Sequence, residues 1–162
     1  MSGERLAQLA VKSTIDYLDS SLQTYLTAVE TARGMTAGDL TPPVDVIGAD
    51  LPEYGGGTPY IEVFENTGKE ERQAGAANRL WVFDLSVILT HACDAGIETG
   101  RQFVRDYVTA MTDLFQSSGG QTLGSKVGRV LITDVSYALN HGSAAKHLIH
   151  AALGLEVHLF DS

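Results

Sequence analysis

The sequence has little cysteine, proline, tryptophan or charge. Its 162 residues include one cysteine, four prolines and one tryptophan, and charged residues make up 19%. Because Cys93 is the single cysteine, no intrachain disulfide can form and the fold does not depend on an oxidising compartment. No run approaches the roughly 18 consecutive apolar residues of a membrane span, and the first residues lead into an amphipathic pattern instead of a signal peptide. We therefore expect a soluble intracellular protein.

Positive charge is also scarce. Eleven lysines and arginines stand against 20 acidic residues, which gives a net charge of −9. Such a chain lacks the broad positive field that non-specific nucleic-acid or anionic-membrane binding needs, so neither is expected as a tight partner. Apolar residues, by contrast, make up 44% of the chain. That is enough to build a core, and the length is typical of one domain spanning residues 1–162.

Hydrophobic spacing predicts two helices and five strands. The helices are expected at residues 4–33 and 98–116, where apolar residues recur every three or four positions. Strands are expected at residues 44–47, 59–64, 79–91, 127–139 and 146–159. Residues 65–78 show no periodicity and have mixed charge, and we expect them to form a mobile loop. The order α-β-β-β-α-β-β predicts an α+β fold, an antiparallel sheet of about four to five strands with the two main helices on one face.

The three longest predicted strands are long for this chain. About 13 residues at roughly 3.3 Å each would span about 40 Å, whereas a domain of this size has a radius of gyration near 15 Å. Such strands must bend, bulge at Gly128 or Gly154, or project beyond the core. Projecting strands need a neighbour, so this length indicates assembly.

Residues that could carry chemistry do not form a recognisable site. His147 and His150 would lie on opposite faces of a strand, and His150 and His158 lie about 26 Å apart along an extended chain, too far for one ion. Cys93 follows His91, but no glycine-framed nucleophile turn surrounds the thiol, which favours a structural cysteine. We therefore expect no metal, no cofactor and no enzymatic activity.

The glycine-rich segments and loops have plainer interpretations. Neither Gly55-Gly56-Gly57 nor Gly119-Gly120 lies between a strand and a helix with a following Lys-Ser/Thr, so neither predicts a phosphate-binding loop. Leu51 and Tyr54 are loop residues that could anchor an interface or equally pack back onto the core.

The whole pattern resembles the tail terminator (tail completion, neck) proteins of long-tailed bacteriophages and gene transfer agents. The resemblance covers nearly the whole chain. It rests on the N-terminal helix, the Pro-Tyr-Ile-Glu-Val-Phe strand, the charged loop that closes on Arg79, the Leu-Trp-Val-Phe-Asp-Leu-Ser-Val-Ile-Leu strand, the helix that ends in Thr-Asp-Leu-Phe before Gln-Thr-Leu-Gly, and the closing Gly-Leu-Glu-Val-His-Leu strand. The linker at residues 35–58 is longer than the family pattern.

The resemblance implies a structural virion protein and homohexameric ring that caps the tail tube and joins it to the head-tail connector. Its partners would be copies of itself, the tail tube protein and the connector or stopper protein, with DNA only passing through the lumen and no membrane. It would be assembled in the host cytoplasm and located in the virion neck. The residues expected at the interface are Leu51, Tyr54, Lys69, Glu70, Glu71, Arg72 and Arg79. The alternatives are another head-tail joining or minor virion protein and, more distantly, a small-molecule binding α+β module.

Overall fold

The computed structural model describes residues 3–48, 57–71, 79–94, 96–140 and 147–161. Two long helices, α1 (Gly3–Arg33) and α2 (Ile97–Gln116), cover one face of a five-stranded sheet. The strands are β1 (Val46–Gly48), β2 (Tyr60–Glu71), β3 (Arg79–Cys93), β4 (Arg129–Asn140) and β5 (His147–Asp161). The predicted α+β class, the element order and the placement of the helices are confirmed.

The sheet has the spatial order β1-β2-β3-β5-β4. Neighbouring strands are antiparallel except for the short β1, which runs parallel to β2 and pairs with residues 61–63 of that strand. Strands β3 and β5 lie in the centre and pair over their whole length, from Arg79 opposite Asp161 to Cys93 opposite His147. The two longest strands, β3 and β5, therefore form the centre of the sheet, and β1 and β4 form its edges.

Each helix buries one apolar stripe against the sheet. Helix α1 contacts β1, β2 and β3, whereas α2 contacts β3, β5 and β4, and the helices also contact each other. The alternation predicted for β3 is confirmed, because Phe83, Leu85, Val87 and Leu89 are all buried on the helix side. The core thus lies between the sheet and the helices. We call the face of the sheet that the helices cover the helix side, and the opposite face the outer side.

The prediction of a loop from residue 65 onwards is wrong for its first part. Residues 65–71 continue β2 and pair with β3 as far as Glu71 opposite Leu80. The segment has no alternating pattern because its side chains are exposed on both faces, and cross-strand pairing with the apolar start of β3 holds it instead. Residues 72–78 lie outside the described residues.

Strand β4 contains a bulge, one of the alternatives expected for the long strands. The register shifts between Ile132 and Asp134, which leaves Thr133 as the extra residue. The bulge is thus not at Gly128 or Gly154, where it was expected, but opposite Gly154: Asp134 pairs with Gly154, and a Cβ on residue 154 would collide with the Asp134 carboxylate. The bulge reverses the alternation along β4, so Ile132 and Val135 have partners on the same face, Leu155 and Leu153.

Candidate interaction surfaces

The second half of β4 is an edge strand with exposed apolar side chains on the helix side. Val130, near its start, is 2% exposed, whereas Val135 is 39% exposed and Tyr137 is 55% exposed. Their cross-strand partners, Leu153 and Ala151, are fully buried, so the same face changes from core to surface within one strand spacing. Within the described ranges no strand pairs with the other side of β4. This combination of open edge and apolar side chains is typical of a protein contact.

A groove lies on the helix side at the opposite end of the sheet. Its volume is about 910 Å³, and it runs between the first half of α1 and the edge of β2 beyond the end of β1. The residues that line it include Val11 and Ile15 on the helix, Gly48 at the end of β1, and Trp81 and Phe83 on β3. The two aromatic rings are stacked with centroids 6.0 Å apart. Lys12, Asp16 and Glu65 supply charge at its walls.

Trp81, which lines this groove, also has a buried polar atom. Its indole Nε1 is buried and donates no hydrogen bond to any residue in the described part of the chain. A buried donor without a partner costs free energy. Because this nitrogen is buried, it is not offered to a molecule in the groove.

Four of the residues predicted at the interface lie together where β2 ends and β3 begins. Lys69 Nζ is 2.9 Å from Glu71 Oε1, and Arg79 Nε is 3.7 Å from Glu70 Oε1. The hydrogen bond and the charge of Glu71 raise the pKa of the Lys69 ammonium. Exposed pairs of this kind add little stability. Of the other predicted residues, Leu51, Tyr54 and Arg72 lie outside the described residues.

The outer side of the sheet holds polar side chains that pair within and across strands. Thr67 Oγ1 donates a hydrogen bond of 2.6 Å to Asp84 Oδ2, and His158 Nε2 lies 2.6 Å from Glu156 Oε1. Thr90 Oγ1 and His150 Nδ1 are 2.9 Å apart. No helix packs on this side in the described ranges. These contacts give the polar side chains hydrogen-bonding partners within the sheet itself.

Cys93 and the histidines in the described part of the chain make local contacts within the fold. His91 stacks on Phe103 with ring centroids 4.0 Å apart, and burial lowers its pKa. Cys93 is free and buried, and its Sγ donates a hydrogen bond of 3.1 Å to the carbonyl oxygen of Gly96. His147 and His150 point to opposite faces of β5, as their spacing predicts. Among the described residues no group of three or more His, Cys, Asp or Glu side chains could hold a metal ion.

The residues of the β4 edge and of the groove were not predicted as functional. Val135 and Tyr137 belong to an alternating strand, and Trp81 and Phe83 belong to the predicted core face of β3. The only signal in the sequence is the run Val-Ser-Tyr-Ala-Leu in β4, whose apolar residues read as core. Their surroundings depend on which parts of the sheet the helices cover, which is a matter of long-range packing.

Comparisons with known proteins add little. No protein-family model matches the chain, and no curated protein matches it either. Among the solved structures that resemble it, one aligns with a TM-score of 0.43 and 17% sequence identity, covering 91% of this chain and 97% of that chain, and its name states no function. No helix in the described ranges is both long enough and apolar enough to cross a membrane.

Proposed function

We propose that this chain is a non-enzymatic structural subunit of a bacteriophage or gene transfer agent neck, which assembles into a ring, terminates the tail tube and joins it to the head-tail connector. The observation that carries the proposal is the edge strand β4, which offers an open edge together with the exposed Val135 and Tyr137. A monomer gains nothing from such a strand, whereas a subunit of an assembly can bury it against a neighbour.

Topology and charge support the same proposal. The element order is the one on which the resemblance to tail terminators rests. The net charge of −9 suits a ring through which DNA slides, because an acidic wall repels phosphate instead of retaining it. Lys69, Glu70, Glu71 and Arg79, at one end of the sheet, are candidate contacts with the tube or with neighbouring subunits.

The test is the native mass of the purified protein over a concentration series, followed by electron microscopy after mixing with isolated tail tubes. We expect closed rings of about six subunits, either free or on the tube ends. Portal rings serve as the matched control. Binding to portal rings but not to tubes would favour another head-tail joining protein, and a compact dimer that binds neither particle would refute the proposal.

A second candidate is favoured by the groove beneath α1. Its volume of about 910 Å³ and its aromatic floor suit a small apolar ligand. A binding module should show a saturable rise in melting temperature with its ligand, whereas a ring subunit should show concentration-dependent association.

A further inference from the structure

The second half of strand β4 is exposed in every direction except towards β5. Residues 134–138 are exposed on both faces of the sheet, and within the described ranges no strand pairs with the edge that faces away from β5. A charged residue or a proline usually protects such an edge from pairing with another chain. Residues 135–140 include neither, so this edge is open to a partner strand.

The undescribed segments of the chain cannot cover residues 134–138. Residues 49–56 follow β1 at the opposite edge of the sheet, and residues 72–78 join β2 to β3 at the end of the sheet where β4 begins. Residues 141–146 join Asn140 to His147 on the neighbouring strand. The Cα–Cα steps between these two residues span at most about 25 Å, so the connecting chain can lie beside only about the last two residues of β4 before it must reach β5.

The sequence of this stretch is close to a palindrome by residue type. Residues 134–140 read Asp-Val-Ser-Tyr-Ala-Leu-Asn, which is polar, aliphatic, small, aromatic, small, aliphatic and polar in either direction. The centre is Tyr137. The palindrome begins directly after the bulge at Thr133 and ends with the strand. A strand that reads alike in both directions suits a second copy of itself, because a two-fold antiparallel contact places each residue opposite its counterpart.

From the open edge and the palindrome we infer that two copies of the chain pair through β4, antiparallel and about a two-fold axis at Tyr137. The inference goes beyond the proposed function, since it concerns the free protein. A two-fold contact closes with two copies and cannot by itself extend into a ring. The dimer is therefore the form of the protein before it assembles.

On the helix side this contact joins apolar side chains. Val135, Tyr137 and Leu139 share that side, because their cross-strand partners on β5 are buried core residues. In the dimer Tyr137 lies opposite Tyr137 of the second copy, and each Val135 lies opposite a Leu139. Aromatic and aliphatic cross-strand pairs of this kind stabilise a sheet. The side chains that each copy exposes thus cover those of the other.

Charge favours the same register. Each copy has a net charge of −9, so two copies repel each other unless the surfaces that meet are neutral. The one charged residue of the stretch, Asp134, lies opposite the uncharged Asn140. An axis at residue 134 would instead bring two carboxylates together, and an axis at Ser136 would leave the last two residues of the palindrome outside it. The axis at Tyr137 uses the whole stretch.

A head-to-tail contact, in which β4 meets a different surface of the second copy, is the competing arrangement. It would also bury Val135 and Tyr137, but residue 136 of one copy would then lie far from residue 138 of the other. The palindrome would have no role in it. Cross-linking between these two positions distinguishes the arrangements.

The first experiment is disulfide formation between Ser136→Cys and Ala138→Cys, which leave Tyr137 in place. Directly opposite residues have Cα atoms about 4.5–5.5 Å apart, within the range of a disulfide, whereas diagonal neighbours are about 7–8 Å apart. After mild oxidation with diamide, we expect an equimolar mixture of the two variants to form covalent dimers at least about tenfold faster than either variant alone. The wild type is the control, because its Cys93 is buried.

The second experiment measures dimerisation of Tyr137→Glu by sedimentation equilibrium. The two-fold axis places the two new carboxylates opposite each other, so this variant should associate at least about thirtyfold more weakly than the wild type. Phe160→Glu is the matched control, since Phe160 is an equally exposed aromatic residue on β5, away from the palindrome. It should dimerise like the wild type. Thermal melts verify that both variants fold, and the cross-linking result decides if Tyr137→Glu does not.

Three results would overturn the inference. They are a wild type that stays monomeric up to about 1 mM, a concentration at which even weak contacts register, unchanged dimerisation of Tyr137→Glu, and cross-linking in the mixture no faster than in the single variants. Rings on tail tubes from a protein that shows none of this β4 pairing would refute the contact but leave the proposed function intact. A β4 dimer that binds no tail tube would support the contact and refute the function.

Discussion

The two sides of the sheet are built from the same strands but have opposite characters. On the helix side Leu85, Leu89 and Leu153 are at most 1% exposed. On the outer side small or polar residues such as Ala152 and Glu156 are half-buried, although Leu80 and Val82 are buried there as well. The helix side therefore holds most of the apolar core, and the outer side holds fewer buried side chains. Within the described ranges the helix side is open at the second half of β4, where Val135 and Tyr137 are exposed, and at the groove beneath α1.

The largest expected effect is loss of a core side chain. Leu89→Ala removes a fully buried side chain, so the free energy of unfolding should fall by about 2–5 kcal/mol. Its neighbour Ile88 points to the outer side, where it is half-buried. Ile88→Ala should cost only about 1 kcal/mol, since less apolar area is lost. Urea denaturation measures both values, and equal losses would mean that something covers the outer side too.

The next prediction compares the stability lost when a buried carboxylate and a half-buried carboxylate of the outer side are replaced. Glu30 is 3% exposed, and its Oε1 accepts hydrogen bonds from the backbone N–H groups of Gly38 and Leu40 at 2.9 and 2.8 Å. Glu30→Ala should lower the free energy of unfolding by about 1.5–3 kcal/mol, because two backbone donors lose an ionised acceptor. Glu30→Gln, which keeps one acceptor, should cost less. On the outer side Glu156→Gln should cost under about 1 kcal/mol, and a larger loss there would contradict the comparison.

The bulge offers a more local test on the outer side. Gly154→Ala places a Cβ against the Asp134 carboxylate and Thr133 Oγ1, so it should cost about 1–3 kcal/mol. Removal of the obstructing carboxylate by Asp134→Ala in the same chain should restore part of that loss. A double-mutant cycle measures the coupling. Strictly additive losses would show that the two residues do not compete for the same space.

The smallest expected effect is a pH dependence of the folding stability, which comes from His91 on the helix side. Burial lowers the pKa of His91 in the folded state, so below the ordinary histidine value near 6.5 the unfolded chain binds the proton more readily. Stability should therefore fall as the pH drops through about 6.5, until folded His91 is protonated as well. His91→Phe can still stack on Phe103. In this variant the melting temperature should change less between pH 7 and pH 5 than in the wild type. His150→Phe on the outer side should leave the contribution of His91 in place.

The sequence predicted those parts of the fold where a periodic pattern coincides with burial. Both helices and the strand β3 follow their apolar spacing closely, because tertiary burial and local pattern agree there. The end of β2 was missed since residues 65–71 are polar on both faces and are held only by their partner strand. The parallel pairing of β1 could not be predicted either, because three residues carry no directional pattern.

The candidate surfaces could be predicted only in part. Lys69, Glu70, Glu71 and Arg79 were recognised from their charge, which is a local property. The exposure of Val135 and Tyr137 depends on the bulge at Thr133 and on the reach of α2, and neither is encoded in a short stretch of sequence. Apolar residues in an alternating strand indicate core by default, so an interface strand of this kind is read as interior until the packing is known.

The position of Cys93 has a practical consequence for measuring how the domain opens. Its thiol is the single one in the chain, and it lies beneath Gly100 in the first turn of α2, where a Cβ would approach the Cβ of Cys93 to 2.7 Å. Because the thiol is buried, a reagent reaches it when the structure around it separates locally, for example the start of α2 from the sheet. The rate of labelling, followed at increasing reagent concentration, therefore reports the frequency of that separation without any engineered probe.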